Sequence, residues 1–144
     1  MPASSDAYDL QRFIAAQDPV YSQVIAELRS GTKRSHWMWF VFPQLAGLGS
    51  SYMANKFAIA SLEEAKAYLA HPILGARLVE CANAVVKIEG KDIHQIFGYP
   101  DDLKFHSSMT LFAKAAPDSE VFRSALDKYF NGQHDRQSLA LLQG

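Results

Sequence analysis

Helix starts and stops recur along this chain about every ten to twenty residues, and almost no stretch alternates apolar and polar residues as a half-buried strand does. That punctuation leaves room for short helices and little else. Asp18-Pro19 reads as an N-cap followed by the first helical position, where proline's missing N–H is unpaired in any case. Tyr21, Val24, Ile25 and Leu28 then share one face, and Gly31 stops the helix. Ser61 and Glu64 have the spacing of a capping box, and the helix they open runs to Ala70. His71-Pro72 opens the next, where Leu74, Leu78, Cys81, Val85 and Ile88 form a single stripe that Gly90 ends. A short helix over Ile93–Phe97 closes at Gly98, and Tyr99-Pro100-Asp101 is a turn. Leu103–Ala115 is weakly amphipathic, Ser119 caps a helix carrying Phe122 to Phe130, and Asp135 caps a last one. The fold class is all-α: about six to eight helices in one compact domain over residues 8–144, after a flexible N-terminus at 1–7.

Bulk properties remove several function classes. With 144 residues, 49% of them apolar, the chain can bury a core without a disulfide or metal staple. A net charge of −1 provides no field to attract nucleic acid or an anionic membrane, and Arg29, Lys33 and Arg34 form only a local basic cluster. No apolar run is long enough for a membrane span and no leader-like segment opens the chain, so the expected location is the cytoplasm. The single cysteine, Cys81, falls on a core stripe. His36, His71, His94, His106 and His134 show no metal-ligand spacing, so neither a metal nor any cofactor is expected. Gly47-Leu48-Gly49-Ser50-Ser51 lacks the Gly-Lys-Ser/Thr ending of a phosphate loop and reads as a flexible turn within a long loop, residues 44–60.

Two segments hold more chemistry than folding requires. In Lys33–Gln44 both tryptophans, Trp37 and Trp39, stand two apart within an aromatic run that reads as a helix from Ser35 to near Pro43 or, alternatively, as a short buried extended piece. The run is either a core plug, with Trp39 and Phe42 buried, or a pocket wall on which a flat ligand stacks while His36 and Gln44 hydrogen-bond to it. In Asp101–Thr110, Asp102, Lys104, Ser107 and Ser108 crowd a helix start. Asp101 or Asp102 can serve as plain caps. A partly desolvated Lys104 can instead act as a base or attack a carbonyl. Unpartnered buried polar groups are costly, so the two segments are expected to meet around one cavity together with Arg77.

The stretches AQDPVYSQVIAELRSGTKRSHWMWFVFPQLAGLGSS, AYLAHPILGARL, IFGYPDDLKFHSSMTLF and YFNGQHDRQSLALL resemble the bacterial family called domain of unknown function 1810, over about residues 8–142. The label calpastatin sometimes given to that family carries no chemical information here. The resemblance implies a mainly helical single domain and transfers no catalytic residue. Ser138 stands where the family pattern has threonine. The order of EEAKAYL, LGARL, SSMTLF and ALDKYF is also similar to the later part of NADAR-type N-glycosidases, which implies a nucleotide or ADP-ribose-like ligand. N-glycosidic cleavage passes through an oxocarbenium-like state that a carboxylate or lysine stabilises or traps. In that reading His36, Asp102 and Lys104 are the catalytic candidates. Trp37, Trp39, Gln44, Arg77, Ser107 and Ser108 bind, with a tryptophan stacking on the base and Arg77 on a phosphate. The alternative is a protein-interaction module that docks a partner through the 44–60 loop and the neighbouring aromatics.

Overall fold

The computed structural model describes residues 6–143, and the described residues form ten helices with no strand. In order these are α1 (Gln11–Gln17), α2 (Tyr21–Ser30), α3 (Met38–Val41), α4 (Tyr52–Lys56), α5 (Leu62–Ala70), α6 (Leu74–Val86), α7 (Ile93–Phe97), α8 (Asp101–Ala115), α9 (Glu120–Phe130) and α10 (Arg136–Gln143). The class is all-α as expected, but the helices outnumber the expected six to eight. The surplus comes from very short ones. The 44–60 stretch is not one long loop: Ser51 caps α4 by accepting from the Ala54 N–H at 3.1 Å. Its two ends are also tied, since Ile59 N–H donates to Gln44 O at 3.0 Å and Ala46 N–H to Ile59 O at 2.8 Å. Of the N-terminal stretch expected to be flexible, residues 1–5 lie outside the described residues, while Asp6 accepts from the Leu10 N–H at 2.6 Å.

Several caps differ from their sequence reading. Asp18 closes α1 instead of opening α2, and its carboxylate pairs with Arg77 at 2.8 Å. Ser61 caps α5 as expected, but Glu64 turns back to the Ala60 N–H and to Arg12, so no capping box forms. The box is at α7, where Asp92 and Gln95 bond reciprocally at 2.8 Å each. Gly31 ends α2 at φ +85°, a left-handed position that favours glycine.

The α8 helix is the centre of the molecule. It packs against α5, α7, α9 and α10, while α6 lies against α2, α5 and α9. Burial on nearly every side of α8, from Phe105 through Phe112, explains why its sequence shows so little amphipathicity. Aromatic rings link it to its neighbours: Phe105 meets Phe42 edge-on at 5.0 Å and stacks on Phe97, and Phe112 meets Tyr68 at 5.4 Å. Cys81 is 1% exposed in this core, and burial pushes its thiol up to about 12, which favours the neutral, core-packing form. The α5 and α6 helices approach each other so closely that a side chain at Gly75 would place a Cβ 2.1 Å from Leu69 O.

The aromatic segment is anchored by a buried carboxylate. Glu27 on α2 is 3% exposed. Its two oxygens accept from the backbone N–H of Arg34 at 2.7 Å and of Ser35 at 3.0 Å, from Trp37 Nε1 at 2.9 Å and Gln23 Nε2 at 2.8 Å, and from the Ser35 hydroxyl. Burial by itself would raise this carboxyl. The donors, led by Ser35, outweigh that and hold it at about 2. A second buried carboxylate, Glu64, accepts from Arg12, whose guanidinium also donates to Lys56 O at 2.9 Å and Ala58 O at 2.8 Å. Arg12 therefore clamps the C-terminal end of α4 to α1 and α5.

Two outcomes follow. Gly75→Ala should lower the unfolding free energy by about 1–3 kcal/mol in urea titrations, because backbone must shift to admit the methyl. Glu27→Gln should cost about 3 kcal/mol near pH 7, since the folded carboxyl sits well below its ordinary 4.5. A depressed carboxyl stabilises the fold above the unfolded value and loses that contribution as pH falls. The stability gap between wild type and variant should therefore close between about pH 5 and pH 2.

Candidate functional site

The two polar segments meet. Lys33 Nζ lies 2.8 Å from Asp101 Oδ2, and Lys104 Nζ lies 3.7 Å from the other oxygen of the same carboxylate. The Lys33 side chain is 8% exposed and also lies over the Trp37 ring, 5.2 Å from its centroid. Lys104 faces the Trp39 ring at 5.1 Å. Two lysines thus share one carboxylate. The remaining acid of this turn, Asp102, is engaged elsewhere: it pairs with His94 at 3.2 Å and accepts from the Leu103 N–H at 2.9 Å.

Lys104, Trp39 and Gln44 border one cleft, with Met38, Phe42 and Phe57 as apolar walls. Ala54 of α4 completes it, and Gly49 packs over that helix so tightly that a Cβ there would sit 2.6 Å from Ala54 Cβ. The cleft holds about 10 Å³, room for one water. Larger grooves lie between α2 and α6, about 380 Å³, and beside α10, about 490 Å³. Both are shallow and open, and neither pairs an aromatic face with a half-buried cation.

The other sequence candidates are placed elsewhere. Trp37 is 1% exposed and is the core plug, hydrogen-bonded through its indole to Glu27, so it has no free face for a ligand. Trp39, expected to be buried with Phe42, is only partly buried, because Lys104 rather than protein core covers its ring. His36 is exposed and does not line the cleft. Arg77 does not line the cleft; it is bonded to Asp18 and Gln17 and lies over the Tyr21 ring at 4.8 Å. Ser107 donates to Leu103 O at 3.2 Å and to Asp135 at 3.3 Å, which ties α8 to α10. Ser108 is completely buried and its hydroxyl has no hydrogen-bond partner among the described residues.

Sequence reasoning missed Lys33, Asp101 as a shared counter-ion, and Arg12 as the clamp on α4. Lys33 had read as part of a local basic cluster, and nothing local in the chain signals that α8 will bury it. Among the described residues no group of His, Cys, Asp or Glu could hold a metal ion, and no helix is long and apolar enough to cross a membrane.

Comparison with known proteins gives a consistent picture. The chain is 56% identical to a conserved hypothetical protein, Rv1873, from Mycobacterium tuberculosis. That crystal structure superposes with a TM-score of 0.95, covering 96% of this chain and 99% of that one. No curated protein matches the chain. The family model described as a protein of unknown function, DUF1810, matches residues 7–142, and the chain belongs to that family.

Proposed function

We propose that this protein binds a small anionic ligand with a flat ring, of the nucleotide or ADP-ribose class, in the cleft between Trp39, Gln44 and Lys104. The observation that carries the reading is the charge count around Asp101. One carboxylate faces two lysines, so the Lys104 ammonium keeps charge to offer a phosphate while Trp39 offers a ring face beside it. Gln44 supplies an amide that can donate to and accept from a base or ribose edge.

A nucleotide needs several hundred Å³, so the ligand enters only when a wall of the cleft withdraws. The α4 helix is the wall suited to this. It has five residues, its C-terminal end is held by Arg12, and its N-terminal end follows Gly49, Ser50 and Ser51. Binding is the primary reading and N-glycosidic cleavage its extension. Lys104 is the one catalytic candidate at the cleft; Asp102 and His36 are not among its lining residues. The competing reading, a partner-docking surface on 44–60, draws on Tyr52, which is 75% exposed.

Calorimetric titration with ADP-ribose and with nucleoside mono- and diphosphates tests the proposal. Wild type should bind at least one of them and quench Trp39 fluorescence. Lys104→Met and Trp39→Leu should each weaken that binding about tenfold, while Lys87→Ala in the α2–α6 groove should leave it unchanged. Absence of binding across the panel, or binding indifferent to Lys104, rules the reading out and leaves the docking surface.

A further inference from the structure

The α8 helix carries three hydroxyls in four residues, and they behave differently. Ser107 and Thr110 each donate to the carbonyl four residues back, Ser107 to Leu103 O at 3.2 Å and Thr110 to His106 O at 2.9 Å. That is the ordinary way for a helical hydroxyl to be satisfied inside a protein. Ser108 sits between them, is 0% exposed, and makes no such bond. It is the one buried side-chain polar atom without a hydrogen-bond partner among the described residues. A buried hydroxyl left in that condition costs stability, so it calls for a reason.

Its position suggests one. Residues four apart share a helix face, and each Cα–Cβ bond tilts toward the helix N-terminus. Ser108 therefore lies one turn below Lys104 on the same face and leans toward it. Lys104 borders the cleft, and Phe105 on the adjoining part of that face packs against Phe42, another cleft wall. Ser108 is not itself a lining residue of the cleft, but it lies one helical turn beyond Lys104, which is, and the fold leaves its hydroxyl unused.

We propose that Ser108 is the floor of the ligand site, a specificity-determining residue that hydrogen-bonds a polar atom of the ligand's ring or sugar. This deepens the binding reading above and rests on it. The Lys104 end takes the anionic group, Trp39 the ring face, and Ser108 the deepest polar atom. A ligand that presents only carbon at that depth leaves the hydroxyl unpaired and is discriminated against.

Ser108→Cys tests the geometry without any ligand. The variant carries two thiols, the introduced one and buried Cys81, and methyl methanethiosulfonate labelling followed by peptide mapping reads both in the same molecule. Opening of the cleft should label the introduced thiol at least about tenfold faster than Cys81. Equal rates would mean that both are reached only by unfolding, and would overturn the proposal. Ser108→Ala supplies the second measurement. Its melting temperature should equal or exceed that of wild type, because a costly unpaired group is removed. A fall would show that the hydroxyl is already satisfied within the fold, which also overturns the proposal. With ADP-ribose as probe, Ser108→Ala should bind roughly three- to tenfold more weakly than wild type. Unchanged affinity would remove Ser108 from the site while leaving the binding reading intact. If wild type itself fails to bind ADP-ribose, the labelling and melting results still decide whether the cleft reaches Ser108.

Discussion

A buried carboxylate organises the segment that carries both tryptophans. Among the described residues Glu27 has no cationic partner; it is held by five donors, four of them from the segment Arg34–Trp37. Such an arrangement tolerates little rearrangement, because each lost donor leaves a desolvated charge less compensated. The chain leaving α2 is therefore fixed in direction. Trp37 is drawn inward, Lys33 is laid over its ring, and Trp39, two residues on, is left half-buried beneath Lys104. Without that anchor the aromatic run would have no reason to divide into one buried and one half-open tryptophan.

The second organising element is α8. Its N-terminal turn delivers Asp101 to Lys33 and Lys104 to Trp39, while its middle supplies the core face on which Phe42, Phe97 and Tyr68 pack. Acidic residues in the first turn of a helix interact favourably with its dipole, so Asp101 would be stable there without Lys33. Recruiting two lysines to it goes further, and it places the Lys104 ammonium at the edge of the cleft. The same helix that creates the core thus sets the electrostatics of the candidate site. Its one unsatisfied hydroxyl lies between those two roles.

Mobility and rigidity are also divided by specific contacts. Arg12 donates to the carbonyls at the end of α4 and to Glu64, so that end of the short helix moves only at the cost of several charge-assisted hydrogen bonds. The opposite end is capped by a single serine and preceded by glycine and serine. Any opening of the cleft is expected to pivot about the Arg12 end.

What the sequence determined by itself was local. Helices α7, α9 and α10, the stripe of α6 and the stop at Gly31 were legible because caps, left-handed glycines and apolar periodicity act within one or two turns, although Ser119, expected to cap α9, makes no side-chain cap hydrogen bond there. The meeting of the two polar segments could be anticipated from their excess of polar groups, but not who would meet whom. Asp18 went to Arg77 rather than to a helix start, Glu64 to Arg12, Trp37 into the core, and Lys33 onto Asp101, 68 positions away. Each of these partners comes from a distant part of the chain. Each choice turns on which side chain finds its charge or hydrogen bond once water is excluded, and that is decided only when the helices have packed.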